Sequence, residues 1–276
     1  MGSMRNLAPA LLPRLETRRL EGLDLGPGTI DPFYDGYSLV NLPASICHWL
    51  GAPAFGGPPL GVEILDLYQQ SFQHVILLVV DGMGLNTLEE ALRHSANDPN
   101  LAIWGEMAED GALAPLTSIA PSTTAAALTS FWTGRTPAEH GVVGFEVWLK
   151  EYSMIANMIY HSPASFNGDF GSLRKTGFDP ETFLPVPTFG PHLVRSGVRP
   201  YAFQHHSIAY SGLSTMLLRG AEVSPFRSLS DLWVSVNLLL DARPAERSYI
   251  YIYWGDLDEH SHRFGPGDSR VALELA

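Results

Sequence analysis

Asp81 stands where a buried strand is predicted to end. It follows the uninterrupted aliphatic run 75–80 and is flanked by Gly82 and Gly84. In open sheets of parallel strands, the carboxyl ends of the strands form the ligand crevice, so a carboxylate there can bind a cation. The alternative interpretation is an ordinary Asp-Gly turn that ends a strand. Asp81 is therefore the first candidate metal ligand.

A second group consists of hydroxyl side chains at the predicted start of a helix. The pattern predicts a helix from Thr123 to about Trp132, with Ser122 as its N-cap and Gly134 behind it. Thr124 lies in its first turn, where unpaired backbone N–H groups and the helix dipole favour phosphate and an alkoxide nucleophile. The alternative is a capping segment with no chemical role.

The third group is the segment 255–266, which follows a strand rich in tyrosine and isoleucine. It contains two Asp-x-x-x-His pairs, Asp256 with His260 and Asp258 with His262. This spacing brings a carboxylate and an imidazole together, and such a pair suits a divalent cation. A solvated acidic loop is the alternative. The segment should lie at the same sheet edge as Asp81.

The surrounding elements predict an α/β fold with a mainly parallel central sheet and helices on both faces. Residues 1–73 are expected to be irregular, apart from a helix over 39–50, and to pack on a core formed by 74–276. Residues 145–186 are expected to be a loop-rich cap that covers the active site. The predicted strands are 74–80, 112–118, 145–149, 152–159, 198–204 and 248–254, and the further predicted helices are 98–110, 188–196 and one beginning after Ser228 or Ser230.

The composition excludes several classes of protein. The 276 residues are 45% hydrophobic and 17% charged, which excludes a disordered chain. The net charge of −12 disfavours nucleic acid and anionic membranes as partners. The single cysteine, Cys47, excludes an internal disulfide framework. Neither a spanning helix nor a signal-peptide core is visible, so a cytoplasmic location is expected.

Taken together, these segments resemble the type I phosphodiesterase/nucleotide pyrophosphatase family of the alkaline phosphatase superfamily. The resemblance covers about residues 74–270. It is carried by three blocks in the expected order, Val79-Val80-Asp81-Gly82-Met83-Gly84, Pro121-Ser122-Thr123-Thr124 followed by Thr133-Gly134-Arg135-Thr136-Pro137-Ala138-Glu139-His140-Gly141-Val142-Val143-Gly144, and Asp258-Glu259-His260-Ser261-His262-Arg263-Phe264-Gly265-Pro266.

The resemblance implies an alkaline-phosphatase-like fold and a hydrolase of small-molecule phosphate esters that uses two divalent metal ions, with zinc as the expected metal. Asp81 and the nucleophile Thr124 would bind one metal, and Thr124 would form a covalent phosphothreonine. Asp258 and His262 would bind the second metal, with Asp256 and His260 as alternates. The resemblance also gives His140 a structural role after the nucleophile helix.

Two departures from the family pattern qualify this expectation. The nucleotide pyrophosphatases carry a phosphoryl-binding Asn where this chain has Phe145, and Asn157 is a candidate substitute. The family also completes its metal sites with an Asp-His pair and a later His, and no Asp-His dipeptide occurs here. We therefore expect the N-terminal part of a longer protein, inactive alone, unless His205 or His206 supplies ligands.

Alternative functions remain open at the level of the sequence. One is a non-catalytic binding or scaffold protein that has kept the fold with an incomplete metal site. Others are a phosphomonoesterase or a phosphomutase of the same superfamily. A sulfatase is disfavoured, because its nucleophile derives from Cys or Ser and Thr124 cannot provide it.

Overall fold

A computed structural model describes residues 4–22, 24–68, 70–165 and 169–276 of the chain. Its strands are β1 (Arg5–Asn6), β2 (His74–Val80), β3 (Ala112–Leu113), β4 (Glu146–Leu149), β5 (Met154–Asn157), β6 (Ser162–Pro163), β7 (Arg199–His205), β8 (Glu222–Phe226) and β9 (Ser248–Trp254). Its helices are α1 (Ala8–Thr17), α2 (Leu42–Trp49), α3 (Val62–Leu65), α4 (Leu85–His94), α5 (Ala102–Glu109), α6 (Thr124–Thr133), α7 (Pro137–His140), α8 (Pro180–Phe183), α9 (Phe189–Arg195), α10 (Gly212–Leu217), α11 (Leu229–Ala242), α12 (Asp256–Phe264) and α13 (Ser269–Glu274).

The central sheet has four parallel strands in the order β2-β9-β7-β8. All seven residues of β9 are buried, as expected for a strand with helices on both faces. The tyrosines of β9 pack with α6, α9 and α10 on one face. Its isoleucines pack with Leu232 and Val236 of α11 on the other. The predicted α/β class with helices on both faces of a parallel sheet is confirmed.

Parallel strands place all their carboxyl ends at one edge of the sheet. Val80 at the end of β2 lies opposite Trp254 at the end of β9, and Gln204 of β7 lies opposite Tyr253. The segments that follow β2 and β9 therefore begin side by side. This register, rather than sequence proximity, brings Asp81 and α12 together.

The predicted cap contains a small antiparallel sheet of the order β4-β5-β6. Trp148 pairs with Ile155 across β4 and β5, which confirms the predicted strand pair. The rest of the segment 145–186, which was expected to be rich in loops, also contains the short helix α8 and a 3₁₀ turn at Ser172–Thr176. Residues 166–168 of this segment lie outside the described residues.

Two further expectations need correction. The predicted strand 112–118 is reduced to Ala112–Leu113, because Pro115 has no N–H to donate to a ladder. Residues 1–73 are not irregular outside 39–50, since α1 packs Leu11 and Leu15 against Tyr37 and α3 adds a further turn. Sequence reasoning also missed α4, α10 and β8. The proposed division into segment, core and cap stays a prediction.

Across the described ranges, no helix combines the length and the apolar character that crossing a membrane requires.

Candidate functional site

Asp81 occupies the turn directly after β2. Its backbone N–H donates to the carbonyl oxygen of Trp254 over 2.9 Å, which extends the β2–β9 pairing by one residue. Its carboxylate oxygen Oδ2 accepts hydrogen bonds from the hydroxyl of Thr124 (3.0 Å) and from that of Tyr253 (2.6 Å). Asp81 therefore holds the Thr124 hydroxyl at the sheet edge.

Thr124 is the first residue of α6. The N-cap is Thr123, whose hydroxyl oxygen accepts from the N–H of Ala126 over 3.5 Å, so the prediction of Ser122 as the cap was wrong by one residue. Gly134 ends the helix in the left-handed conformation, as its position behind the helix predicted. Thr124 thus lies beside the unpaired N–H groups and the positive end of the helix dipole.

Tyr253 was not among the sequence-derived candidates. It belongs to the penultimate position of β9, on the face that packs against α6. Burial is the largest cause that raises the pKa of its hydroxyl, followed by the charge of Asp81 and the hydrogen bond to it. Tyr253 therefore stays protonated and donates to Asp81. Alternation along the strand places the Tyr253 side chain on the face that packs against α6. Only the pairing of β9 with β2 in three dimensions brings it next to Asp81.

Asp258 approaches the same corner from α12. Burial raises the pKa of its carboxyl group, the charge of Asp81 raises it further, and His262 acts in the opposite direction. The Nε2 atom of His262 lies 3.6 Å from Oδ1 of Asp258. The structure thus brings Asp81, Thr124, Asp258 and His262 to one corner of the molecule.

Asp256 and His260 belong to a different group of side chains. Nδ1 of His260 lies 3.8 Å from a carboxylate oxygen of Glu274. Burial raises the pKa of Glu274, and the charge of Asp256 raises it further. Positions 256 and 258 are separated by about 200° around a helix, so the two Asp-His pairs occupy opposite sides of α12. Only the Asp258 pair lies toward Asp81.

Gly82 is the residue that lets α12 come this close. It adopts a φ of +77°, and a Cβ atom at this position would lie 2.9 Å from the Cα of Asp258. We expect Gly82→Ala to destabilise the protein by more than about 1 kcal/mol, from strain in the left-handed region and the clash with backbone. Urea unfolding measures the loss, with Gly84→Ala as the control, because a Cβ at Gly84 meets no atom within 4 Å. Equal losses in both variants would contradict the close approach.

The side chains at the Asp81 corner, namely Asp81, Thr124, Asp258 and His262, form a candidate donor set for a divalent metal. Carboxylate oxygens, an imidazole nitrogen and a hydroxyl oxygen are donors that zinc accepts. However, in the ranges that the structure describes, no group of three or more His, Cys, Asp or Glu side chains converges tightly enough to hold a metal ion. The chemistry of the donors therefore fits a metal, whereas their number and spacing provide only part of a coordination shell.

Asn157, the candidate phosphoryl contact, lies at the end of β5 and is buried. Its carboxamide oxygen accepts hydrogen bonds from the backbone N–H groups of Ile159 and Tyr160, both over 3.0 Å. This oxygen therefore stabilises the turn after the strand. Phe145, which takes the place of the family's Asn, is exposed.

His140 closes the short helix α7 and is fully buried. Its Nδ1 accepts the N–H of Val142 over 3.1 Å, so the ring proton sits on Nε2, 3.1 Å from the hydroxyl oxygen of Ser130. Burial lowers the pKa of His140 to about 4. The imidazole is neutral near pH 7 and links α6 to the following segment.

The lowered pKa of His140 predicts a pH-dependent stability. Between pH 4 and 6.5 the unfolded chain binds this proton and the folded chain does not, so stability falls as the pH drops through that window. The contribution is about 3 kcal/mol. We expect His140→Gln to flatten the dependence of the unfolding free energy on pH, measured in urea from pH 7.5 to 4.5. Parallel curves for the two proteins would contradict this assignment.

Comparison with known proteins agrees with the sequence resemblance. The family model described as Type I phosphodiesterase / nucleotide pyrophosphatase matches residues 75–276, which include Asp81, α6, the small sheet β4-β5-β6 and α12. No curated protein matches the chain. Because the match extends over well more than half of the residues, this chain belongs to the type I phosphodiesterase/nucleotide pyrophosphatase family.

Proposed function

We propose that this chain carries the catalytic threonine and part of the metal site of a phosphoric ester hydrolase of the phosphodiesterase/pyrophosphatase type. The observation that supports it most is the hydrogen bond of 3.0 Å from Thr124 to Asp81 at the start of α6. A hydroxyl held there by a carboxylate is oriented for attack, and the helix N-terminus can bind the phosphoryl oxygens.

Two further observations favour a cation at this corner. Burial raises the pKa of Asp258 and the charge of Asp81 raises it further, and a bound cation would offset this repulsion. His262 lies against Asp258 and offers a nitrogen ligand. Asp81, Thr124, Asp258 and His262 are the residues that would hold divalent metal, and zinc is the metal we propose. Once bound, the metal would lower the pKa of the attacking hydroxyl and stabilise charge on the phosphoryl oxygens.

The residues of the chain would act in two displacements. Thr124 Oγ loses its proton to water and forms a bond to phosphorus while the ester bond breaks. The leaving oxygen departs with its bonding pair and takes up a proton from water, and Thr124 carries the phosphoryl group. Water then attacks phosphorus, and the bond to Thr124 breaks, which restores the hydroxyl. Asp81 orients Thr124 Oγ before the first step, and the first-turn N–H groups of α6 bind the phosphoryl oxygens in both.

The direct test is turnover of bis-p-nitrophenyl phosphate and p-nitrophenyl phosphate with zinc, manganese or magnesium. Release of p-nitrophenol that a chelator abolishes supports the proposal, and a preference for the first substrate indicates a diesterase over the phosphomonoesterase or phosphomutase alternatives. Trapping of a phosphorylated Thr124 by acid quench and mass spectrometry would identify the intermediate. Because the donors at the Asp81 corner provide only part of a coordination shell, turnover is measured at rising metal concentrations. Absence of turnover at concentrations that saturate the Asp81 corner would contradict a catalytic role for this chain.

A non-catalytic binding protein is the second candidate. It is favoured by the absence of a closed group of three metal-binding side chains within the described segments. This candidate expects phosphate esters to bind near Thr124 without being hydrolysed. Equilibrium binding measured beside turnover separates the two functions.

A further inference from the structure

The row of residues just past the ends of the four parallel strands extends well beyond Asp81. The strand register aligns the last residues of β2, β9, β7 and β8. Pairing continues past the strand ends, because the N–H of His206 donates to the carbonyl oxygen of Phe226 over 2.8 Å. The row therefore consists, in spatial order, of Asp81, Gly255, His206 and Arg227.

The spacing of strands sets the distances along this row. Neighbouring strands lie about 4.8 Å apart, so His206 lies about 10 Å and Arg227 about 15 Å from Asp81. Within β7, Gln204 lies opposite Tyr253 of β9, the residue whose hydroxyl donates to Asp81. His206 follows Gln204 by two residues and lies in the turn after β7. A ligand whose phosphoryl group is at Thr124 can therefore extend toward His206.

This far end of the row is basic. In the described part of the chain, the Arg227 guanidinium makes neither an ion pair nor a side-chain hydrogen bond. The Asp231 carboxylate accepts the backbone N–H of Arg227 over 3.0 Å and makes no ion pair with its guanidinium in the described residues. The rings of His205 and His206 lie 4.3 Å apart, and the hydroxyl of Ser207 holds Nδ1 of His205 at 2.7 Å.

The basic end contrasts with the rest of a chain whose net charge is −12. His206 and Arg227 are both exposed, so a ligand can reach them. Burial lowers the pKa of His206, and the charges of Arg227 and His205 lower it further, so the positive charge of this end comes mainly from Arg227 while the His206 ring contributes an N–H donor. Arginine and histidine N–H donors are the groups that bind phosphate and carboxylate oxygens. The arrangement is therefore complementary to an anion.

We propose that His206 and Arg227 bind a second anionic group of the substrate, a phosphate or a carboxylate on the leaving alcohol, about 10 to 15 Å along the sheet edge from Asp81. This inference rests on the proposed function of the Asp81 corner and adds a substrate class to it. The preferred substrates are phosphate esters whose leaving group carries a negative charge at its far end. Esters of the same length with a neutral end lack this contact.

The first experiment tests the basic end without any catalysis. Inorganic phosphate is titrated into the metal-free chain while the histidine ring signals are followed by NMR, with His206→Gln used to assign the signal. We expect a saturable shift of the His206 signal that Arg227→Gln abolishes. Arg195→Gln, which removes the same charge from the exposed end of α9, should leave the shift intact. No shift, or equal loss in both arginine variants, would overturn the proposal.

The second experiment tests the distance. Hexane-1,6-diol bisphosphate and hexyl phosphate are compared for binding to the metal-loaded Thr124→Ala chain by calorimetry. We expect the bisphosphate to bind about tenfold more tightly, a difference of about 1.4 kcal/mol, and Arg227→Gln to remove this advantage. Equal affinities, or an advantage that survives Arg227→Gln, would overturn the proposal.

Further comparisons show which anion the site prefers. They also show which of the two proposals fails when only one of them is correct. Replacing the terminal phosphate of the second probe with a carboxylate shows which anion the pair prefers, and either preference supports the inference. If phosphate shifts His206 but the wild-type chain hydrolyses nothing, only the proposed function fails. If hydrolysis occurs without any response at His206, only this inference fails.

Discussion

Thr124→Ala should reduce turnover of p-nitrophenyl phosphate esters by roughly 10³-fold or more while the protein stays folded. This is the scale on which loss of a covalent nucleophile acts in other hydrolases. The side chain is only half-buried at the start of α6, and its hydroxyl donates a hydrogen bond to Asp81. Removing it therefore costs little stability. Initial rates, measured beside circular dichroism and urea unfolding, provide the test.

Thr123→Ala is the matched control for this prediction. Thr123 caps α6 by accepting the N–H of Ala126, but the bond is long at 3.5 Å. We expect a stability loss near the lower end of the range for N-caps, about 0.5 to 1 kcal/mol, with near-normal turnover. The two neighbouring substitutions are thus expected to have different effects: Thr124→Ala lowers turnover with little loss of stability, whereas Thr123→Ala lowers stability with little loss of turnover. If Thr123→Ala lost activity and Thr124→Ala did not, the assignment of the nucleophile would be wrong by one residue.

The strands of the site could be predicted because their sequences leave few alternatives. The run 75–80 is aliphatic throughout, and β9 alternates tyrosine with isoleucine, so both are predicted as strands buried on two faces. The prediction is confirmed for β9, but β2 is the first strand of the sheet, its residues are at most partly buried and Ile76 is exposed. A parallel sheet then requires that their carboxyl ends meet. The proximity of Asp81 to the segment after β9 follows from this rule alone, and the structure agrees with it.

The choice between the two Asp-His pairs could not be derived from spacing. Asp256 with His260 and Asp258 with His262 have the same separation, and periodicity places them on opposite sides of a helix without saying which side faces the sheet edge. The orientation is set by contacts made elsewhere, since Leu257 is buried against Val271 and Leu275. Only the resemblance favoured the Asp258 pair in advance.

The missed elements share weak local signals. Strand β8 contains Glu222 and Pro225, which are unfavourable in a central strand but tolerated at the edge of the sheet, where β8 lies. Helix α10 begins at Gly212, a poor helix former, and is stabilised by the Ser211 cap and by a bond from Ser214 to Gln204 of β7. Contacts with the rest of the fold, rather than local sequence preference, therefore determine that β8 and α10 form.

Metal affinity should depend on one Asp-His pair and not on the other. We expect Asp258→Asn and His262→Gln each to reduce zinc affinity by more than the 10- to 100-fold that loss of an outer-shell partner costs. Asp256→Asn and His260→Gln should leave the zinc affinity close to that of the wild-type chain, because both residues lie near Glu274, on the opposite side of α12 from Asp258. Competition with a chromophoric chelator measures all four variants.

The same measurement tests how complete the site is. Stable zinc sites use three or four protein ligands, and within the residues described no three such side chains converge. We therefore expect weak zinc binding, with a stoichiometry below two after dialysis. Tight binding of two zinc ions would show that side chains rearrange to complete the shell. Loss of zinc in Asp256→Asn, with retention in Asp258→Asn, would move the metal site to the Glu274 side of α12, away from Thr124, and would separate metal binding from the proposed nucleophile.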